Sequence, residues 1–134
     1  MKKTFTTMHF ILSIVIVAGL VIEFYFAGMG VFQGASFQIH QITGVVLWGG
    51  SALLLIFSLL GKVGKKAIGF SILLLVLLFL QPLLLQINQP FVKALHVVNG
   101  LAVLTTCMYL VITGAKKKNK KVTIKERTSS LSSS

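Results

Sequence analysis

Acidic residues are almost missing from this chain, which has 2 Asp and Glu residues against 13 Lys and Arg among 134 residues. A net charge of +11 can indicate a nucleic-acid partner. Here, however, the basic residues gather at the ends of apolar segments, which is typical of membrane topology, so we expect no nucleic-acid partner. Cysteine is also scarce, because the one thiol, Cys107, leaves no second cysteine for an internal disulfide.

Long apolar runs are what the sequence does contain. Hydrophobic residues make up 55% of the chain, charged residues only 11%, and the mean hydropathy is +0.92. This composition indicates an integral membrane protein whose first partner is the lipid bilayer. Four runs approach or exceed the length of about 20 residues that a helical crossing needs. We predict helices from Met8 to Gly30, Phe37 to Leu60, Ala67 to Gln86 and Pro90 to Ala115.

The links between these runs are short, which favours an all-α, up-and-down antiparallel four-helix bundle over residues 1–115. In such a bundle the second and fourth helices run parallel and face each other along a diagonal. The first run resembles a signal peptide, but its length and Glu23 favour a retained helix. Residues 116–134 are basic and then serine-rich, so we predict a disordered tail.

Lysines predict the orientation of the bundle. The N-terminus, the link after the second run and the C-terminal tail are basic, whereas the links after the first and third runs contain no Lys or Arg. Because basic segments stay on the cytoplasmic side, both termini are predicted to lie there, in a bacterial plasma membrane.

Two histidines stand at matching positions in the second and fourth runs. A shift of 56 positions places His40 on His96 and Gly44 on Gly100. Two imidazoles at one depth could bind the iron of a flat macrocycle from opposite sides, and glycines one turn deeper would leave room for its plane. We therefore predict His40 and His96 as metal ligands, with Gly44 and Gly100 as part of the cofactor-binding site.

Two charged residues join the predicted site. Lys93 precedes His96 by three positions on the same helical side and could contact haem propionates, or it could simply extend to the membrane surface. Glu23 is an acid inside an apolar run, which suggests a proton relay, a cofactor contact or a protonated carboxyl bonded within the bundle.

Each histidine also has a structural alternative, since a single His near a membrane helix end is commonly an interfacial, hydrogen-bonded residue. A zinc site is less favoured, because two His residues fall short of the usual four ligands. His9 has no second His at its depth, so no second haem is expected at the opposite end.

The segments HQITG and HVVNG on the second and fourth helices resemble those of small b-type membrane cytochromes, and especially one four-helix half of haem A synthase. The resemblance covers roughly residues 5 to 115. It implies haem b as the cofactor, with His40 and His96 as its axial ligands.

These observations lead to a predicted function in electron transfer or haem binding, not to a self-contained enzyme with catalytic residues. The redox partner could be a quinol in the bilayer, an extracytoplasmic protein or another membrane subunit. Two alternatives remain open: a cofactor-free scaffold or accessory subunit that packs against partner helices, and a small proton or solute transporter that uses Glu23.

Overall fold

A computed structural model describes residues 1–34 and 36–131, with side chains described as far as residue 116. Over this part of the chain the protein is an all-α bundle of four helices. They are α1 (Lys2–Gln33), α2 (Gln38–Gly61), α3 (Lys65–Gln86) and α4 (Pro90–Leu131). Each contains a segment long and apolar enough to cross a membrane, and in α4 that segment is Pro90–Lys116. The predicted fold class is confirmed.

Short links join the helices, and residues with positive φ mark the ends of α1 and α2 and the start of α3. Gly34 follows α1 with φ 66°, and Lys62 follows α2 with φ 49°. Gly64, with φ 111°, precedes α3. Glycine adopts such left-handed conformations without a steric penalty, which suits it to both positions.

Each helix packs against two neighbours, in the order α1, α2, α3, α4 and back to α1. No contacts join α1 to α3 or α2 to α4 within the described residues at the Cα level, so these pairs lie on the diagonals. The up-and-down arrangement predicted from the short links therefore holds. We call the end where α2 and α4 begin the histidine end.

The helix boundaries differ from the predicted ones mainly at the outer ends of the chain. Helix α1 begins at Lys2, because Lys and Thr are compatible with a helix even though they are not apolar. Helix α4 continues to Leu131, past the end predicted at Ala115. The side chains of residues 117–131 and all of residues 132–134 lie outside the described part, so the predicted disorder of the tail stays a prediction.

The core is a narrow column of aliphatic and small side chains along the bundle axis. Ile16, Leu54, Leu74 and Leu110, one from each helix, are at most 2% exposed. Large apolar side chains such as Val45, at 70% exposure, cover the outside. An apolar exterior of this kind suits contact with lipid, where polar surface would be costly.

The two halves of the bundle repeat each other in their buried residues. A shift of 58 positions places the inner face of α1 on that of α3, as the shift of 56 does for α2 and α4. Both members of every pair in the following set are buried. They are Ser13 and Ser71, Ile16 and Leu74, Leu20 and Leu78, Leu47 and Val103, Ser51 and Cys107, and Leu54 and Leu110. The hairpins α1–α2 and α3–α4 are thus related by an approximate two-fold axis along the bundle.

Candidate cofactor site at the histidine end

His40 and His96 meet across the diagonal of the bundle. Their ring centres lie 6.1 Å apart, and the ring planes are inclined by 74°. His40 is the third residue of α2 and His96 the seventh of α4, so the two helices begin at slightly different depths. The predicted match in depth is nevertheless present in the structure.

The His40 ring is held from α1. Its Nδ1 lies 3.0 Å from Oε1 of Glu23, close enough for an ion pair when the imidazole is protonated. Nδ1 is buried, but it makes no hydrogen bond to the described residues. The other carboxylate oxygen of Glu23 accepts a hydrogen bond from the hydroxyl of Thr43. Both oxygens of the acid therefore face α2, and neither side chain is more than 18% exposed in the Glu23–His40 pair.

The His96 ring is held from α3. Its Nδ1 lies 3.1 Å from the backbone carbonyl oxygen of Gln81. One turn further along α4, Asn99 donates from Nδ2 to the carbonyl oxygen of Leu77 at 2.8 Å. Pro82 follows Gln81 inside α3, and proline removes one backbone donor from the helix. Side chains of α4 thus donate to the backbone of α3 around its proline.

The Gln81 amide lies between His96 and Gly100. One of its terminal atoms is 3.0 Å from the His96 carbonyl oxygen, and the other is 3.1 Å from the Gly100 nitrogen. A carbonyl oxygen needs a donor and an N–H needs an acceptor, so the first atom is the amide nitrogen and the second its oxygen. The nitrogen also lies 2.9 Å from Nδ1 of His96. His96 Nδ1 therefore has an acceptor, the Gln81 backbone carbonyl, and a donor, the Gln81 amide nitrogen, within reach. Binding of a metal at Nε2 requires the tautomer in which Nδ1 carries the proton and donates to the carbonyl.

Both imidazoles share one arrangement of their nitrogens. In each, Nδ1 faces an oxygen supplied by the preceding helix of its own hairpin, while Nε2 makes no hydrogen bond to the described residues. Metal-binding histidines in proteins characteristically direct their second ring nitrogen to a carboxylate or backbone carbonyl. The site therefore offers two ring nitrogens that are available to a ligand.

A metal site built by protein groups alone is not present in the described residues. They contain no group of three or more His, Cys, Asp or Glu side chains placed to hold an ion. His40 and His96 could ligate a metal only if another molecule supplied the remaining ligands, as a porphyrin does.

Gly44 and Gly100 lie against side chains instead of open space. A Cβ at Gly44 would lie 3.2 Å from Oε1 of Glu23, and one at Gly100 would lie 3.3 Å from both the Gln81 side-chain amide and the Phe24 ring. Glu23, Phe24 and Gln81 thus occupy the space beside the two glycines. A macrocycle that reached the level of the glycines would contact these three side chains.

Lys93 and His9 both lie away from the paired histidines. Lys93 is exposed, and its Nζ donates to Oδ1 of Asn88 at 3.4 Å. His9 is buried near the start of α1, where its Nε2 lies 3.3 Å from the hydroxyl of Ser71.

Gln81 was not predicted as part of the site, although the sequence carries the signal that identifies it. The shift of 58 positions that relates α1 to α3 places Glu23 on Gln81. The two side chains have nearly the same shape and contact equivalent glycines on the following helix. A repeat search extended to the first and third apolar runs would have paired them.

Comparison with known proteins finds similarity to one family over part of the chain, and that family has no known function. Residues 23–87 match a family described as a family of unknown function, DUF6220. The match includes Glu23, His40 and Gln81 and ends before His96. No curated protein and no solved structure matches the chain. Over just under half of its length, the chain is therefore similar to a family whose function is not known.

Proposed function

We propose that this protein is a membrane b-type cytochrome that holds one haem between His40 and His96 and transfers single electrons. The observation that carries the proposal is the common arrangement of the two imidazoles. Each has Nδ1 against an oxygen and Nε2 without a hydrogen-bond partner among the described residues. Such rings are already oriented by their surroundings for binding through Nε2.

The separation of the rings also supports the proposal. Two metal–nitrogen bonds of about 2.0 Å, continued to the centre of each imidazole, separate two axial ring centres by about 6 Å. The measured separation is 6.1 Å. This separation supports a six-coordinate iron held by the two imidazoles, with Glu23, Phe24 and Gln81 beside the macrocycle.

The haem would supply an iron that changes its oxidation state by one electron. With both axial positions filled by imidazoles, no position would remain for oxygen or substrate, which favours electron transfer over catalysis. The protein would orient His40 through Glu23 and His96 through Gln81. Its lipid-facing helices would exclude water from all but the histidine end.

The proposal includes a location and a partner class. The basic links favour a bacterial plasma membrane with both termini of the chain in the cytoplasm, so the histidine end would face outward. A quinol in the bilayer or an extracytoplasmic redox protein could then exchange electrons with the haem. The exposed Lys93 would lie beside the propionates at the water boundary.

An absorption spectrum of the detergent-purified protein, oxidised and then reduced with dithionite, tests the proposal. We expect the spectrum of a low-spin haem, with the pyridine haemochrome of haem b. His40→Ala and His96→Ala should each abolish this spectrum or convert it to that of a high-spin haem. His9→Ala is the matched control and should retain it.

Two results would contradict the proposal. A colourless protein that remains colourless after haem is added would favour the scaffold or the transporter instead. A low-spin spectrum that survives both His40→Ala and His96→Ala would place the haem elsewhere.

A further inference from the structure

We infer that Glu23 and Gln81 are a matched pair of positioning residues, one for each imidazole, and that the difference between them makes His40 and His96 unequal ligands. This inference rests on the proposed function and adds to it. It assigns Gln81 the role of positioning His96, and it states that His40 is the more electron-rich of the two ligands.

The first support is the repeat. Glu23 and Gln81 occupy equivalent positions on α1 and α3, and each side chain reaches the following helix of its own hairpin. Glu23 contacts the helix turn that holds His40 and Gly44, and Gln81 contacts the turn that holds His96 and Gly100. The two hairpins thus present the same residue geometry to the site.

The second support is the kind of oxygen that faces each Nδ1. For His40 it is a carboxylate oxygen of Glu23, at 3.0 Å. For His96 it is the neutral backbone carbonyl of Gln81, at 3.1 Å. The Gln81 amide nitrogen lies 3.0 Å from the His96 carbonyl oxygen and 2.9 Å from Nδ1. When it donates to the carbonyl oxygen, Nδ1 can donate to the Gln81 backbone carbonyl.

A charge difference follows from these contacts. A negatively charged carboxylate beside an imidazole leaves more electron density on that ring than a neutral carbonyl does. His40 would therefore be the more electron-rich of the two axial ligands. An electron-rich ligand stabilises the oxidised iron, so Glu23 would lower the reduction potential.

Redox titration of the haem-loaded protein tests the charge difference. Glu23→Gln should raise the potential by about 59 mV, which is a tenfold change in a one-electron equilibrium. Gln81→Glu should lower it. The double exchange, Glu23→Gln with Gln81→Glu, should return the potential more than half of the way to the wild-type value, because one carboxylate again faces one imidazole.

A matched control separates position from charge. Gln86 is an exposed residue further along α3, so Gln86→Glu adds the same charge to the same helix away from the histidines. Combined with Glu23→Gln, it should fail to restore the potential. If Gln86→Glu restored the reduction potential of Glu23→Gln as completely as Gln81→Glu does, the inference would be wrong. It would also be wrong if the single variants Glu23→Gln and Gln81→Glu both had the wild-type potential.

A measurement without haem keeps the inference separate from the proposed function. Nitrogen-15 spectra of labelled histidines in the haem-free protein should show the proton on Nδ1 in both His40 and His96. Glu23→Gln should shift the His40 signals alone, and Gln81→Leu should shift those of His96 alone. Protonation of His96 at Nε2 would overturn the pairing of Gln81 with His96. A protein that binds no haem would overturn the proposed function, and the nitrogen spectra would still decide the pairing.

Discussion

At the scale of single residues, Gly44 and Gly100 lie close to side chains of the neighbouring helices. Leucine at either position would place a branched side chain against Glu23 in one case and against Phe24 and Gln81 in the other. Those are the side chains that a macrocycle at this depth would contact. We therefore expect Gly44→Leu and Gly100→Leu to lose most of their haem, measured as haem per protein after purification, while the protein still inserts into the membrane.

Gly49 offers the matched control for this prediction. It lies on α2 a little deeper than Gly44, and no heavy atom beyond its own helix and chain neighbours lies within 4 Å of the Cβ that a substitution would add. Gly49→Leu should keep the wild-type haem content. Equal haem content in all three leucine variants would show that the glycines provide no clearance.

Lys93 carries a second prediction at this scale. Removing a cation near ionised propionates disfavours the reduced haem more than the oxidised haem, because the reduced haem carries one more negative charge, so Lys93→Gln should lower the reduction potential. Lys93 is exposed, so solvent screens its charge and a decrease of about 20 to 40 mV is expected, against 59 mV for a tenfold change. The measurement is a redox titration at neutral pH and low salt, with Lys93→Arg as the control that keeps the charge.

A potential that is the same in Lys93→Gln and Lys93→Arg would show that the lysine only extends to the surface. Its contact with Asn88 at 3.4 Å would then be its main interaction.

The sequence was informative about which residues meet, and less so about what surrounds them. The shared spacing of His40 and His96 predicted one depth, because residues at fixed intervals on parallel helices reach equal levels. The rotamer of Glu23, in contrast, depends on whether Thr43 offers a hydroxyl and on the space beside Gly44. No spacing rule states which of several helices an acid will reach, so its contact with His40 required the structure.

At the scale of helices, the α1–α2 hairpin is held by a close approach at the end opposite the histidines. A Cβ at Gly61 would lie 2.9 Å from the backbone nitrogen of Thr6, and the Thr6 hydroxyl donates to the Gly61 carbonyl oxygen at 3.2 Å. Backbone atoms cannot rotate away as a flexible side chain can. This glycine therefore sets the distance between the two helices.

Gly61→Val should destabilise the hairpin. Overpacking of this kind costs about 1 to 3 kcal/mol, which should appear as a lower midpoint of thermal unfolding in detergent. Gly69→Val is the control, because it adds the same β-branched side chain to a helix at a position with no neighbour within 4 Å. Equal midpoints for the two variants would contradict the packing argument.

Helices were easier to predict than their ends. A run of about 20 apolar residues has no alternative to a helix in lipid, where every backbone group must be hydrogen-bonded internally. The start of α1 at Lys2 and the extension of α4 beyond Ala115 lie outside the apolar runs. Hydropathy carries no information there, because lysine and threonine can form a helix or remain irregular.

At the scale of the whole molecule, orientation is the feature with the most direct test. A fluorescent protein fused to the C-terminus should fluoresce, and alkaline phosphatase inserted after Gly34 or after Asn88 should be active. Both results are expected from the prediction that the lysine-rich segments stay in the cytoplasm. The opposite pattern of activities would invert the bundle and place the histidine end inside the cell.

The approximate two-fold axis has a consequence for any asymmetric ligand at the site. A haem with its propionates toward water has two possible seatings, related by a half-turn about an axis along the bundle, and this is the direction of the axis that relates the two hairpins. The walls differ at Glu23 against Gln81, Phe24 against Pro82, Phe37 against Lys93 and Thr43 against Asn99. A preference of 1.4 kcal/mol corresponds to about a tenfold ratio of populations. The reconstituted protein should therefore contain both seatings, visible as two sets of shifted haem methyl resonances in its proton spectrum.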